Sequence, residues 1–360
     1  MRKLTITLSL AAALVSVASC KKSDDSKKSE ESAKAGEAAS AVAGAAAAAA
    51  PSAAAADGLL AYLPGGAQVV FGGNYKNFMD YWTTSPLKGF SETMMKGMGN
   101  AGSGMSDYMS CWVEIGSAVE LVGSLETAAS GGAMRMVFSG LGGKALSTCA
   151  EKGGFKTKAE GKFLEITGVP DGMGGEASVA YYLIDDNTTY FYQDMPFGGD
   201  TPAKTTAAML EADMKKASES SAAKDAAMQA MLAKADRSKA FWFSGSAAGT
   251  PIADKVGEGN GWIGVDKTSL SIGFSIDILE EGMAAQAVAG FGMAESQLGM
   301  LDGMGPQGKE LKVLAKQFLD DAKLSNEGNQ LTGQFKITNE LLEKALPMAQ
   351  AAMGGMMGGM

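Results

Sequence analysis

The stretch Ser269-Leu270-Ser271-Ile272-Gly273-Phe274-Ser275-Ile276-Asp277-Ile278-Leu279 decides the fold. Leu270, Ile272, Phe274, Ile276 and Ile278 alternate with small or polar residues. This period of two predicts a strand with one face buried and one wet, as antiparallel sheets have. Gly261–Val265 precedes it across Asp266-Lys267-Thr268, whose residues suit a hairpin turn. A second hairpin is predicted from Ser178–Ile184 to Thr188–Tyr192, with Asp185, Asp186 and Asn187 at the turn. Further strands are expected at Gln68–Phe71, Met134–Phe138, Lys162–Thr167, Ala240–Ser244 and Leu331–Thr338.

Helices fall between these strands. Ser85-Pro86 and Thr201-Pro202 each place a hydroxyl at a cap and proline at the first helical position. The second pair opens an Ala-, Lys- and Met-rich run, read as one long helix from Ala203 to Asp236. Lys309–Lys323 carries Leu311, Leu314, Ala315 and Phe318 on one stripe. Asn339 is expected to cap a last helix, Glu340–Ala352. Met134–Phe138 and the helix through Cys149 resemble Ser271–Ile276 and the helix through Met293; Lys162–Thr167 resembles Gly333–Thr338. The expected fold is therefore α+β, antiparallel sheets packed by helices. Two related lobes, 57–200 and 237–347, are joined by a connecting helix, 201–236, and followed by a Gly/Met tail, 348–360.

The amino-terminal region has a different composition. A basic start (Arg2, Lys3), an apolar run from Leu4 to Val17 and the small residues Ala18 and Ser19 lead to Cys20. This order is that of a secretory signal, 1–19. The run is too short to span a bilayer, which needs about 20 apolar residues. Val17-Ala18-Ser19-Cys20 resembles the lipobox of bacterial lipoproteins. That resemblance implies cleavage before Cys20, acylation of its thiol, and membrane attachment through the acyl chains. Lys21 in the next position implies, by the sorting rule of enteric lipoproteins, the outer membrane; its periplasmic face is the expectation, with display at the surface as the alternative. Residues 21–56, first mixed in charge and then alanine-rich, cannot bury a core and read as a tether with a span of about 35 Å. Leu63-Pro64-Gly65-Gly66-Ala67 at the start of the folded part resembles the opening of envelope lipoprotein families of myxobacteria and their relatives, a resemblance that carries no activity.

Of the three cysteines, Cys111 and Cys149 remain once Cys20 is assigned to lipid. An even pair in an oxidising compartment points to a disulfide, with two buried thiols as the alternative. The net charge of −9, or −11 without Arg2 and Lys3, disfavours nucleic acid as a partner.

The 360 residues contain no histidine, which removes histidine-activated nucleophiles, acid/base work and metal sites. Gly140-Leu-Gly-Gly-Lys144 fails the phosphate-loop pattern at Phe138 and Ala145, and reads as a glycine turn. Ser221-Ala-Ala-Lys224 matches Ser-x-x-Lys but has no Lys-Thr-Gly partner. The acidic pairs Asp185-Asp186, Glu280-Glu281 and Asp320-Asp321 read as solvated surface. Methionine is enriched, and Met353, Met356, Met357 and Met360 in the tail form a soft-ligand set suited to Cu(I). The functional expectation is a non-catalytic envelope lipoprotein, without a cofactor, that binds an envelope protein or has a structural role. The alternatives are a carrier of an apolar ligand or lipid and Met-mediated Cu(I) handling.

Overall fold

The computed structural model describes residues 53–89, 100–115, 120–128, 131–170, 176–196, 204–248, 250 and 252–347. Cys20, the tether before residue 53, Thr201-Pro202 and Met353, Met356, Met357 and Met360 lie outside them.

The chain from residue 51 onward forms one compact unit. Its elements run α1 (Ala53–Leu60), β1 (Val69–Asn74), α2 (Tyr75–Thr84), α3 (Asn100–Ile115), β2 (Glu120–Ala128), β3 (Gly131–Ser139), α4 (Gly143–Lys152), β4 (Lys156–Glu160), β5 (Phe163–Pro170), β6 (Glu176–Leu183) and β7 (Thr188–Pro196). Then come α5 (Ala207–Glu219), α6 (Ala226–Leu232), β8 (Phe241–Ser246), β9 (Val256–Val265), β10 (Ser269–Ile278), α7 (Met283–Gln297), a 3-10 turn (Leu298–Met304), α8 (Gly305–Asp321), β11 (Lys323–Glu327), β12 (Gln330–Thr338) and a helix α9 described over 339–347.

The strands form one antiparallel sheet in the order β11-β12-β10-β9-β8-β1-β2-β3-β7-β6-β5-β4. The α+β class and its antiparallel strands are as the alternation predicts, but the two halves share this sheet. They meet where β1 pairs with β8, Phe71 opposite Phe243. Around that pair the halves mirror each other. Three strands (β1-β2-β3; β8-β9-β10) lead to helices, and the helices lead to a hairpin, β4-β5 or β11-β12. The hairpins turn at Gly161 and Gly328, both at φ +57°, a left-handed backbone that glycine adopts without penalty. The mirror is incomplete: β12 lies directly beside β10, whereas β6 and β7 separate β5 from β3. Lys162–Thr167 and Gly333–Thr338 thus match as hairpin strands but not as positions in the sheet.

The expected long helix is two helices. Ser220 turns extended (φ −145°, ψ 93°) and ends α5, while Asp225 caps α6 by accepting from the N–H groups of Ala227 and Met228. The intervening Ser221 makes a bridge with Pro64. Backbone pairing to a distant segment, with a strong cap following, outweighs the helix propensity of the Ala/Lys-rich run. At the last helix the cap is Thr338, whose Oγ1 accepts from Leu341 N at 3.2 Å. Asn339 instead accepts from Tyr81 Oη at 3.0 Å and donates to the Lys267 carbonyl at 3.1 Å.

In the first half both sheet faces are covered. On one, Val70, Val122, Val137, Tyr190 and Trp242 are buried under α1, α5 and α6. On the other, Phe138, Leu164, Ile166, Tyr181 and Phe191 are buried under α3 and α4. The alternation of Arg135, Val137 and Ala133 with Met134, Met136 and Phe138 assigns β3 to both cores.

Candidate functional site: a half-covered apolar face

Cys111 of α3 and Cys149 of α4 are joined in a disulfide, with Cα atoms 5.3 Å apart, in the usual range. Both cysteines are buried, and Tyr108, Trp112 and Phe138 pack edge-on around them. Burial, and then the neighbouring Tyr108, push the Tyr75 hydroxyl up to about 12.

A polar centre that the sequence reading missed lies in the opposite core. Arg135 of β3 and Asp213 of α5 are each 3% exposed. The guanidinium donates to the Asp213 carboxylate through Nε at 2.6 Å and Nη2 at 3.0 Å. Tyr190 Oη donates to the same carboxylate, and Glu126 takes Nη1 at 2.9 Å. Burial and then Asp213 raise the Tyr190 pKa. Burial works against the Arg135 charge, but the hydrogen bonds and charge of Asp213 outweigh it and raise its pKa. Each group here is committed to another. The arrangement is a strut between α5 and the sheet rather than a reactive constellation. The available signal was a charge on each of two apolar stripes: Arg135 between Ala133 and Val137, and Asp213 between Leu210 and Ala217.

The motifs weighed in the sequence fall apart in space. Gly140 (φ +85°) and Gly142 make the turn into α4, tied by Asn187 O, which accepts from Gly140 N at 2.9 Å and Leu141 N at 3.1 Å. Ser221 and Lys224 lie in the break between α5 and α6, not within a helix. Asp266 accepts from Thr268 N, Thr268 Oγ1 and Ser269 Oγ, and these bonds, against burial, hold its pKa below the ordinary value. That is a hairpin turn locked by its own side chain. Asp185-Asp186, Glu280-Glu281 and Asp320-Asp321 sit at separate turns and helix ends. Among the described residues no group of three or more His, Cys, Asp or Glu could hold a metal ion.

What distinguishes the molecule is the second half. The face of β9, β10 and β12 that continues the α3/α4 side carries Ile263, Val265, Leu270, Ile272, Phe274, Ile276, Leu331 and Ile337, and all are only half-buried. Phe335 is the exception at 5% exposure. It is held by Phe318 of α8 (stacked, 5.5 Å between centroids), by Phe291 of α7 (edge-on, 6.3 Å) and by Phe274 (6.0 Å). A phenylalanine cluster thus anchors the helices on the sheet, and Ala284 of α7 and Leu341 of α9 are buried as well. Around it the apolar rows continue with Phe71, Phe241 and Phe243 at the centre of the sheet, again half-buried. Met293, Met300 and Val313 on the covering elements are 56%, 75% and 62% exposed. On the reverse face Thr332, Gln334 and Lys336 of β12 are in the open, while Trp262 of β9 lies across Gly273 of β10. The strand that fixed the fold departs from the expected wet face, since Ser269 and Gly273 are buried and Ser271 and Ser275 half-buried, and its apolar face is not sealed.

No family model matches the sequence, and no curated protein does. Solved structures do. Crystal form I of TP0453 is similar at a TM-score of 0.41 with 9% identity, covering 81% of this chain and 96% of that one. Crystal form III is similar at 0.42 and 8%, over 81% and 97%. Among the described residues no helix is long and apolar enough to cross a membrane.

Proposed function

We propose that this chain is an exported lipoprotein, attached to the outer membrane through acyl groups on Cys20, and that its folded part binds an apolar envelope component without catalysis. The observation that carries the binding role is the contrast between two related halves. The first buries a core on each face of its sheet, and the second leaves a continuous Ile/Phe/Leu face half-covered. Exposed apolar surface of that extent is a feature of binding sites. The half-buried Ile, Leu and Phe rows beside the phenylalanine cluster suit an acyl chain or an apolar segment of a partner. The disulfide supports export, since such bonds persist in oxidising compartments. The saturated state of Arg135, Asp213 and Tyr190 and the scatter of the remaining acidic groups support a non-catalytic role.

Two measurements test the reading. Intact mass of the purified mature protein is expected to show an acylated amino-terminal Cys20, and Cys20→Ala to release the protein from membranes; an unmodified leader would defeat the anchor. Titration with N-phenylnaphthylamine, an uncharged apolar fluorophore, is expected to show saturable binding that Ile276→Glu weakens at least tenfold. Absence of binding, or binding indifferent to that charge, would defeat the apolar site.

A further inference from the structure

The outer strands β4 and β11 occupy matching places in the two halves, yet their open edges differ in charge. Four of the five residues of β11 are exposed, so among the described residues nothing lies over that edge. Beside it, Asn329 O accepts from Ile278 N and Asn339 N donates to Thr268 O, so the odd-numbered positions of the β12 segment turn toward β10. Gln330, Thr332 and Gln334 then bond toward β11, to their register partners Glu327, Ser325 and Lys323. The N–H and C=O groups of Leu324 and Asn326 are left pointing outward, and no bond is made to them among the described residues. Such a row is a template for another strand.

We propose that β11 pairs with β11 of a second copy of this chain, antiparallel about a two-fold axis through Ser325, so that two sheets become one. With outward groups opposed, Leu324 of each copy and Asn326 of the other form the hydrogen-bonded pairs. Lys323 of each copy then stands directly opposite Glu327 of the other. These are the non-hydrogen-bonded positions, where facing side chains lie closest and opposite charges stabilise. Neither Lys323 nor Glu327 makes an ion pair among the described residues. Ser325, on the axis, meets only its own hydroxyl. β4 is built against the same pairing. Lys162 O accepts from Leu183 N on the β6 side, which makes Thr157 and Ala159 the outward residues of β4. Self-pairing would set Lys158 on the axis against its own copy, a charge that blocks an edge. Lys158 also lies 3.8 Å from Glu160, so that edge already holds a pair of its own. Leu324 and Asn326 lie on the apolar side of the sheet, so the β11 pairing brings the half-covered faces of both copies onto one side. It does not depend on what those faces bind.

Sedimentation equilibrium of the full chain carrying Cys20→Ala, so that acyl chains cannot drive association, tests the assignment. A monomer–dimer equilibrium is expected, with a Kd on the order of 10–100 μM for so small a contact. Lys323→Glu turns both charge pairs into like pairs and is expected to weaken the dimer about tenfold or more. Lys323→Glu combined with Glu327→Lys restores both pairs in reverse and is expected to return the Kd to within about threefold of its starting value. On the same background, Ser325→Cys is expected to give a covalent dimer on mild oxidation, because facing residues at the axis stand within disulfide reach. A chain that stays monomeric throughout, a single reversal without effect, a double reversal that does not recover, or an absent cross-link would each overturn the pairing. Species that grow without limit would overturn it as well. They would point to β4 joined to β11 of the next copy, which matches Lys156 with Glu327 and Glu160 with Lys323 but never closes, and which the double reversal would break.

Discussion

Replacing Asp213 by alanine should be among the most damaging single changes outside the apolar cores. Arginine does not deprotonate in a protein, so Arg135, 3% exposed, would keep its charge and lose the bonds from Nε and Nη2. Glu126 would still hold Nη1 at 2.9 Å, but that carboxylate is 52% exposed and reaches only one arm of the fork. Removing one partner of a buried pair costs about 3–5 kcal/mol, and the remaining Glu126 contact places the expectation near 3. Tyr190 Oη, fully buried, would lose its acceptor as well. Equilibrium urea unfolding followed by circular dichroism should show the loss as a lower midpoint at unchanged slope. The paired change Arg135→Met with Asp213→Leu separates the charge argument from simple packing. It removes both charges and should recover to within about 1–2 kcal/mol of the wild type, because the stranded charge is gone and only the Tyr190 hydroxyl is left without its acceptor. A cost below about 1 kcal/mol for Asp213→Ala, or a double variant no better than the single, would refute the reasoning.

Reducing the Cys111–Cys149 bridge, or changing both residues to serine, opens a loop of sequence separation 38 and should lower stability by about 4 kcal/mol, measured as a fall in urea midpoint. Gly142→Ala would set a Cβ 1.8 Å from the Asp186 carbonyl oxygen, so backbone must move; a loss of about 1–3 kcal/mol is expected by thermal melting. Gly58→Ala, in a helix with nothing within 4 Å of the new atom, should instead gain about 0.5–1 kcal/mol in the same melt. Asp225 accepts from Met228 N, Gly66 N and Ala227 N, and these bonds hold its pKa below the ordinary value. Its stabilisation is therefore full above the unfolded value near 4 and is lost as pH falls through the lower folded value. The stability gap between wild type and Asp225→Asn, about 1 kcal/mol at pH 7, should begin to close below about pH 4.

Much of the sheet is legible in the sequence because half of each strand's contacts repeat locally. The Leu270–Ile278 alternation names its own faces, and Asp266 announces the turn before it. β2 was missed because Gly123 interrupts Leu121-Val122-Gly123-Ser124-Leu125, and glycine in a strand usually weakens it. In the fold that glycine is what lets Phe71 of the neighbouring strand lie across β2, with a Cβ there only 2.2 Å from its ring. β4 and β11 were missed for a different reason. Lys156-Thr-Lys-Ala-Glu160 and Lys323-Leu-Ser-Asn-Glu327 are the two edges of the sheet, and edges carry charge where interior strands carry apolar residues. The break between α5 and α6 depends on Pro64, far away in the chain, and the pairing of Arg135 with Asp213 joins elements with most of the first half between them. Neither can be read from a local window. Of the candidate site, the apolar rows were visible as residue types. Their incomplete cover was not, since it is set by how the helices α7 and α8 lie across the sheet, which no local window records.

The central pair of strands also governs the order in which the molecule can be assembled. β1 is among the first strands made and β8 opens the second half, yet Val69 must find Gly245 before the middle of the sheet exists. Up to that moment β1 has only β2 beside it, leaving a growing sheet with an unprotected margin at its heart. Pairings so distant in the chain form slowly and leave sticky intermediates. The waiting half therefore has most need of a chaperone until its twin has reached it.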